Sequence, residues 1–320
     1  MTTNVSAVTE ELLLLPWADH ASLLEGATEG LQVAIYDGRD EPPASVLDLV
    51  TFYVPPYMGT AEALGLMRRM PSLRIVQTLT AGVDSVWADL PDGVALYNAA
   101  GVHDASTAEL AVGLAIASLR HLDDFSRAQA LGEWRHGRFD SLADKCVMIL
   151  GYGHVGEAVD RRLAGFDVDV VRVARTARTS REGDVVHGVD ELPALLPSVD
   201  VVIVIVPQTP ETIGMVDAEF LSRMRPGALL VNVARGPVVV TDDLVAALRE
   251  GRVRAALDVT DPEPLPPGHP LWSAPGVLIS PHVGGNTSAF LPRAHRLVAA
   301  QVRRWCSGEP LENAMDRPRP

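Results

Sequence analysis

The chain has 320 residues, with 27 Lys and Arg against 41 Asp and Glu for a net charge of −14, 47% hydrophobic residues and two cysteines. At about 150 residues per domain, that length suits two globular domains, each with apolar residues enough for a core. The acidic balance, with no long basic run, opposes phosphate backbones and anionic lipid surfaces, so neither nucleic acid nor membrane is expected as a partner.

Cys146 and Cys306 show neither CxxC spacing nor the dense pattern of a secreted scaffold, which fits a reducing cytoplasm, and no metal is expected. Met1 to Glu11 carry no basic residue ahead of an apolar stretch, and the longest strongly apolar run is Val201 to Val206. Neither a signal peptide nor a membrane span is therefore expected. Every basic residue except Lys145 is an arginine, most simply a codon bias. Schiff-base chemistry, which needs a lysine amine, is left with one candidate, just ahead of a predicted buried strand.

Along the chain, Leu31–Tyr36, Leu47–Val54 and Arg74–Thr78 are short apolar runs bounded by turn residues, with a helical pattern over Ala61–Met70. They predict strands of a largely parallel α/β sheet. Tyr57 and Met58, in a Pro-flanked loop after the second run, either line a pocket or simply pack. Small apolar residues recur at helical spacing from Thr107 to Leu122 and predict a buried helix. After a stretch bearing arginine, glycine and tryptophan, the alternation restarts near Lys145. Strands are predicted at Cys146–Leu150, Val168–Val173, Val201–Val206, Ala228–Val233, Ala255–Val259 and Val277–Ile279. Helices are predicted at His154–Ala164, Ala218–Met224 and Thr241–Glu250. A closing helix, Ser288–Cys306, has no strand predicted after it and is expected to return to the first domain, ahead of a proline-rich tail, Arg317–Pro320. The expected domains are residues 1–99 with 287–320, and residues 100–286, the second inserted into the first.

Gly151-Tyr152-Gly153-His154-Val155-Gly156 is a GxGxxG directly after a predicted strand and opening a helix. Glycine there permits a tight turn, close approach of a pyrophosphate and tight helix packing, while the helix start offers N–H donors. Dinucleotide binding is the expected function of this turn. At the end of the following strand, where an NAD-preferring site places an acid, Ala174 stands instead, followed by Arg175, Thr176 and Arg178. Guanidinium forks match a 2′-phosphate and the missing carboxylate removes repulsion, so NADP(H) is the preferred cofactor expected, with NAD(H) as the alternative. The bland reading is that both arginines are ordinary surface residues.

Three further strand ends carry chemistry: Asn232 to Gly236 with Arg235, Leu257 to Leu265 with Asp258, Asp261 and Glu263, and Ser280 to Gly285 with His282. In a parallel sheet all three lie at the carboxyl edge, where ligands bind. With the glycine turn and Val206 to Thr212, they come in an order and spacing that resembles the D-isomer-specific 2-hydroxyacid dehydrogenases, nearest the glyoxylate/hydroxypyruvate reductase branch. The resemblance runs from about Ile75 to Glu309.

That resemblance implies two doubly wound parallel-sheet α/β domains, a Rossmann coenzyme domain inserted into a flavodoxin-like substrate domain. It implies that Arg235 binds the carboxylate and carbonyl of a small 2-oxo acid, that His282 is the general acid/base and that Glu263 pairs with it. Asp261 rivals Glu263 on residue type alone, and the family pattern selects Glu263 because it precedes Pro264-Leu265. The coenzyme is expected on Gly151 to Gly156, Arg175, Thr176, Arg178, Val206, Pro207, Thr212, Val233, Ala234, Asp258, His282 and Gly284. The substrate is expected on Leu79, Ala81, Gly82, Arg235 and His282, with Tyr57 and Met58 shaping the pocket. Chemistry agrees: a guanidinium can hold a 2-oxo acid and polarise its carbonyl, and an imidazolium stabilised by a carboxylate can deliver a proton as hydride arrives. Formate dehydrogenases of this fold are expected to carry glutamine where Glu263 stands, so the acid speaks against that activity. The small-residue helix and the stretch through Trp134 resemble the family's dimer arm, so a homodimer is expected. The alternatives are a dehydrogenase of another acid, phosphite included, and a coenzyme-sensing binding protein of the corepressor type.

Overall fold

Short all-apolar runs become strands buried on both faces, because a parallel strand covered by helices has no polar side to show. The computed structural model describes residues 11–317. Most of the N-terminal stretch considered above for a leader, and the last three residues of the proline-rich tail, lie outside the described residues.

The first strands are β1 (Leu12–Leu15), β2 (Gln32–Ile35), β3 (Val50–Tyr53), β4 (Ile75–Gln77) and β5 (Ala95–Tyr97). Next come β6 (Lys145–Leu150), β7 (Val168–Ala174), β8 (Arg178–Thr179), β9 (Val185–Gly188), β10 (Val201–Val204), β11 (Ala228–Asn232), β12 (Val253–Leu257) and β13 (Val277–Ile279). A last short strand, β14 (Ala314–Met315), closes the order. The chain divides into two compact units, one of residues up to His103 with those from Ser288 onward, the other Asp104–Thr287.

In the first unit the sheet order is β14-β5-β4-β3-β1-β2, parallel throughout except that β14 runs antiparallel to β5. Its first five strands thus follow the 2-1-3-4-5 order of a doubly wound sheet. Leu12, Leu14, Tyr53 and Met67 pack on one face and Leu13, Leu15, Phe52 and Val54 on the other. The second face is covered by the helix Phe290–Ser307, whose Phe290, Ala294, Val298 and Val302 repeat every four residues and are all buried.

In the second unit the order is β13-β12-β11-β10-β6-β7-β9-β8, parallel except for β8 on β9. Counting from β6, the central strands read 3-2-1-4-5-6, the dinucleotide-binding order. The helix Asp104–Leu119 buries Ala108, Ala111, Val112 and Ala115 with Val147, Ile149 and Ala158 in one core. Among the described residues no helix is long and apolar enough to cross a membrane.

Several expected elements need correction. A strand does follow the closing helix: β14 lies on β5, helped by the Asn98 amide donating to the Asn313 carbonyl at 3.1 Å. Two residues are too few to show a period. The strand within the run Val201–Val206 ends at Val204; the Ile205 amide still donates to the Leu150 carbonyl at 2.8 Å, and Pro207 just beyond has no N–H to give. Leu47 ends a helical turn, Ala44–Leu47, and the strand there starts at Val50. The expected helix over Thr107–Leu122 ends at Leu119, His121 turns left-handed at φ 54°, and a second helix, Leu122–Leu131, begins. β1, β5, β8 and β9 lie outside the predicted strands; β1 is a run of four leucines, which carries no period of its own.

Candidate active site

Register places the motifs. Val173, Leu150, Val204, Asn232, Leu257 and Ile279 are successive partners across β7, β6, β10, β11, β12 and β13. The chain therefore leaves the sheet at one level on six strands, and the glycine turn, the Val206 loop, Arg235, Asp258 and His282 all follow that row.

Arg235 has extended backbone, and its Nη1 donates to the Ala234 carbonyl at 2.7 Å. Asn232, only 1% exposed, braces the turn from both sides: its Oδ1 accepts from the Ala234 amide and its Nδ2 donates to the Arg235 carbonyl. Gly236 then passes the next loop so closely that a Cβ would stand 1.9 Å from the Thr260 carbonyl oxygen. Only glycine fits there, and the arginine turn and the acidic loop are packed as one piece.

His282 Nδ1 lies 2.5 Å from Glu263 Oε1, so the structure brings these two residues together. Asp261 instead offers its backbone carbonyl to Thr241. The His282 backbone is left-handed, at φ 51°, and its amide donates to the Asp258 carbonyl at 2.8 Å. Buried Asp258 ties down the rest of the loop. Its Oδ1 accepts from Ser280 Oγ at 2.6 Å and the Val283 amide at 3.0 Å, its Oδ2 from the Gly284 amide at 2.9 Å. Three of roughly four acceptor positions are thus given to the His282 loop. Asn232 and Ser280 are supports that sequence reasoning did not single out, although an Asn ending the apolar run Leu229–Val231 is a visible signal.

At the glycine turn, Gly151 has φ 113° and a Cβ would lie 2.6 Å from the Ile205 carbonyl carbon; on Gly156 it would lie 2.5 Å from the Gly151 oxygen. Both glycines are needed for chain packing, whereas a Cβ on Gly153 would meet nothing within 4 Å. Gly153 precedes the helix His154–Leu163 and places no side chain on its first N–H groups. An open position beside uncapped helix donors fits a pyrophosphate. Tyr152 Oη donates to Asp160 at 2.6 Å, and Asp160 also accepts from Arg172 at 2.7 Å. Burial, and then the bond to Asp160, push the tyrosine up to about 12.

Arg175, Thr176 and Arg178 are exposed beyond Ala174. Arg178 Nη2 donates to the Tyr152 carbonyl at 2.5 Å, anchoring that fork to the glycine turn. Glu211 is held below the usual carboxylate range by hydrogen bonds from Thr209 and its own backbone, then by the charge of Arg175. Thr212 Oγ1 closes this loop by donating to the Pro207 carbonyl at 2.6 Å. Val206, Val233 and Ala234 are buried.

In the first unit, the loop after β4 has every carbonyl from Thr78 to Gly82 occupied. Gln77 Nε2 donates to Thr78, the His103 ring to Leu79, and the Ala99 amide and Thr78 Oγ1 to Thr80. Asn98 Nδ2 donates to Ala81 and Thr80 Oγ1 to Gly82. Among the described residues the amides of Leu79, Thr80, Ala81 and Gly82 donate to no protein acceptor. Tyr57 sits partly buried in a ring stack, while Met58, at φ 52°, is 61% exposed.

Known proteins resemble this chain along most of its length. A family model described as D-isomer specific 2-hydroxyacid dehydrogenase, NAD binding domain, matches residues 112–284. A glyoxylate reductase/hydroxypyruvate reductase of Mus musculus is 35% identical over 260 residues, 76% of this chain and 77% of that protein. A crystal structure of a D-isomer specific 2-hydroxyacid dehydrogenase from Xanthobacter autotrophicus Py2, in complex with NADPH and MES, is 35% identical with a TM-score of 0.79, covering 95% of this chain and 98% of that one. An NADPH-dependent glyoxylate/hydroxypyruvate reductase from Sinorhizobium meliloti, in complex with NADP and sulfate, is 27% identical with a TM-score of 0.80, covering 96% and 98%. The chain belongs to the D-isomer specific 2-hydroxyacid dehydrogenase family and is an enzyme using a nicotinamide cofactor.

Proposed function

We propose that the protein reduces a small 2-oxo acid, of the glyoxylate or hydroxypyruvate kind, to the D-2-hydroxy acid with NADPH. The observation that carries this reading is the 2.5 Å His282–Glu263 pair, held at the same sheet edge as the braced Arg235 turn. The nicotinamide supplies the hydride when bound. Arg235 holds the acid and polarises its carbonyl as charge gathers on oxygen. Glu263 accepts from His282 Nδ1–H, which turns Nε2 toward the role of proton donor to that oxygen. In the first unit, the N–H groups of Ala81 and Gly82, beside Leu79, take the carboxylate, with Tyr57 and Met58 setting side-chain size.

Arg175 and Arg178 favour the 2′-phosphate, Thr176 adds a hydroxyl, and Gly151 to Gly156 take the pyrophosphate. Val206, Pro207, Thr212, Val233, Ala234, Asp258 and Gly284 line the remaining coenzyme path. A homodimer goes with the reading: Leu122, Leu131 and Trp134 are 48%, 68% and 94% exposed on one helix and the stretch after it, an unusual outlay of large apolar residues in water. The two cysteines are free, as a reducing cytoplasm would keep them.

The test is absorbance at 340 nm with NADPH or NADH and a panel of 2-oxo acids. Turnover of glyoxylate or hydroxypyruvate with a higher kcat/KM for NADPH is expected. Tight coenzyme binding without turnover of any acid would overturn the reading and favour a coenzyme sensor.

A further inference from the structure

The loop Thr78–Gly82 is aimed by whatever grips its carbonyls. In a trans peptide the C=O of one residue and the N–H of the next point in opposite directions, so fixing the oxygen fixes where the amide points. Ala99 and Thr78 hold Thr80 O and thereby aim the Ala81 N–H; Asn98 holds Ala81 O and aims the Gly82 N–H. These grips come from the loop itself or from the residues following β5, the strand beside β4.

The Leu79 carbonyl is held differently. His103 Nε2 lies 2.8 Å from it, and because a carbonyl only accepts, Nε2 must carry the proton. His103 is only 8% exposed and stacks on Phe290 (5.1 Å between centroids, 13° between planes) and Tyr57 (5.7 Å, 24°). Tyr57 and Phe290 meet at 3.9 Å. The imidazole is therefore locked by two aromatic rings from distant parts of the first unit, and it sets the plane of the Leu79–Thr80 peptide.

We propose that His103 is a positioning residue for the substrate carboxylate: the ring stack fixes the imidazole, the imidazole fixes Leu79 O, and Thr80 N–H is aimed beside those of Ala81 and Gly82. This rests on the reading of the loop as the carboxylate holder. The inference adds the Thr80 N–H to those of Ala81 and Gly82, and a buried histidine that acts through the Leu79 carbonyl.

Oxalate serves as the probe, measured by calorimetry on NADPH-loaded protein, alongside steady-state kinetics with the best 2-oxo acid. His103→Phe keeps a flat ring and removes the donor; His103→Gln restores an amide donor near Nε2. In His103→Phe, oxalate binding is expected to weaken and KM for the acid to rise, each about tenfold, a neutral hydrogen bond's worth. Its kcat and NADPH affinity should stay within about twofold of wild type, and His103→Gln should recover most of the loss. Phe290→Leu, which loosens the stack from the ring given no part in the pocket, should move KM the same way by less, and covers the case in which His103→Phe fails to fold. Unchanged oxalate affinity in folded His103→Phe overturns the inference, as does wild type that binds no oxalate. If wild type reduces no 2-oxo acid yet His103→Phe still weakens oxalate, the reduction reading falls and the positioning role stands.

Discussion

The two sheets end differently at the edges that carry their candidate residues. In the second unit the edge is built from side chains: a guanidinium after β11, a carboxylate after β12 and an imidazole after β13, with Asn232 bracing the arginine turn and Asp258 the histidine loop. In the first unit the loop after β4 offers backbone, with its carbonyls turned into the protein and four amides left over. Side chains bring charge and a titrating proton, suited to a carbonyl whose charge changes during reaction. Fixed amides bring shape and partial charge, suited to a carboxylate whose charge does not change. The comparison predicts that damage at the first kind of edge appears in kcat and at the second in KM.

His282→Ala is the most severe way to test that split. Losing the proton donor should lower kcat by about 10³-fold while NADPH affinity, read by fluorescence titration, barely moves. An unaltered kcat would remove His282 from the scheme. Next, Arg235→Lys should cost about 10²-fold in kcat/KM, since an ammonium cannot reproduce the planar fork. A mild effect would mean the acid is held mainly by other groups. Arg175→Ala should cut the proposed NADPH-over-NADH preference by about tenfold, leaving NADH kinetics alone. A preserved preference would hand selectivity to Arg178, whose fork is already tied to the Tyr152 carbonyl.

Asn98→Ala removes the donor that aims the Gly82 amide, so KM for the acid should rise about fivefold with kcat unchanged. A fall in kcat instead would erase the distinction between the edges. The smallest effect concerns His295, packed edge-on against Trp17 and, among the described residues, with no hydrogen-bond partner for its buried Nε2. Burial holds this imidazole below its ordinary 6.5, opposed by Asp19. The unfolded chain therefore takes up the proton more readily, and stability present above pH 6.5 declines as the pH falls below it. Melting temperatures between pH 7.5 and 5.5 should fall more steeply for wild type than for His295→Leu; parallel slopes would sink this assignment.

The same contrast explains what the sequence could tell. His282, Glu263 and Arg235 are visible because their chemistry belongs to residue type, and because each follows an apolar run whose length sets the register. The Gly151 turn was legible for the same reason, its φ of 113° being one that glycine readily adopts. The grip on Leu79 was not, since it depends on His103, many residues away, reaching a carbonyl oxygen that every residue possesses. β1 escaped prediction because Leu12–Leu15 reads equally as helix or strand until β2 and β3 pair on either side of it. β14 escaped because its pairing with β5 is decided by the long return of the chain.

The left-handed backbone at His282 bears on how other sequences are to be read. At φ 51° the position tolerates glycine, asparagine, aspartate and histidine, and penalises β-branched and bulky residues. A relative that has abandoned the reaction but kept its loop should therefore show Asn or Gly there. One showing Val or Ile at that place has a rebuilt loop, and its neighbouring motif residues no longer line up with those of this chain.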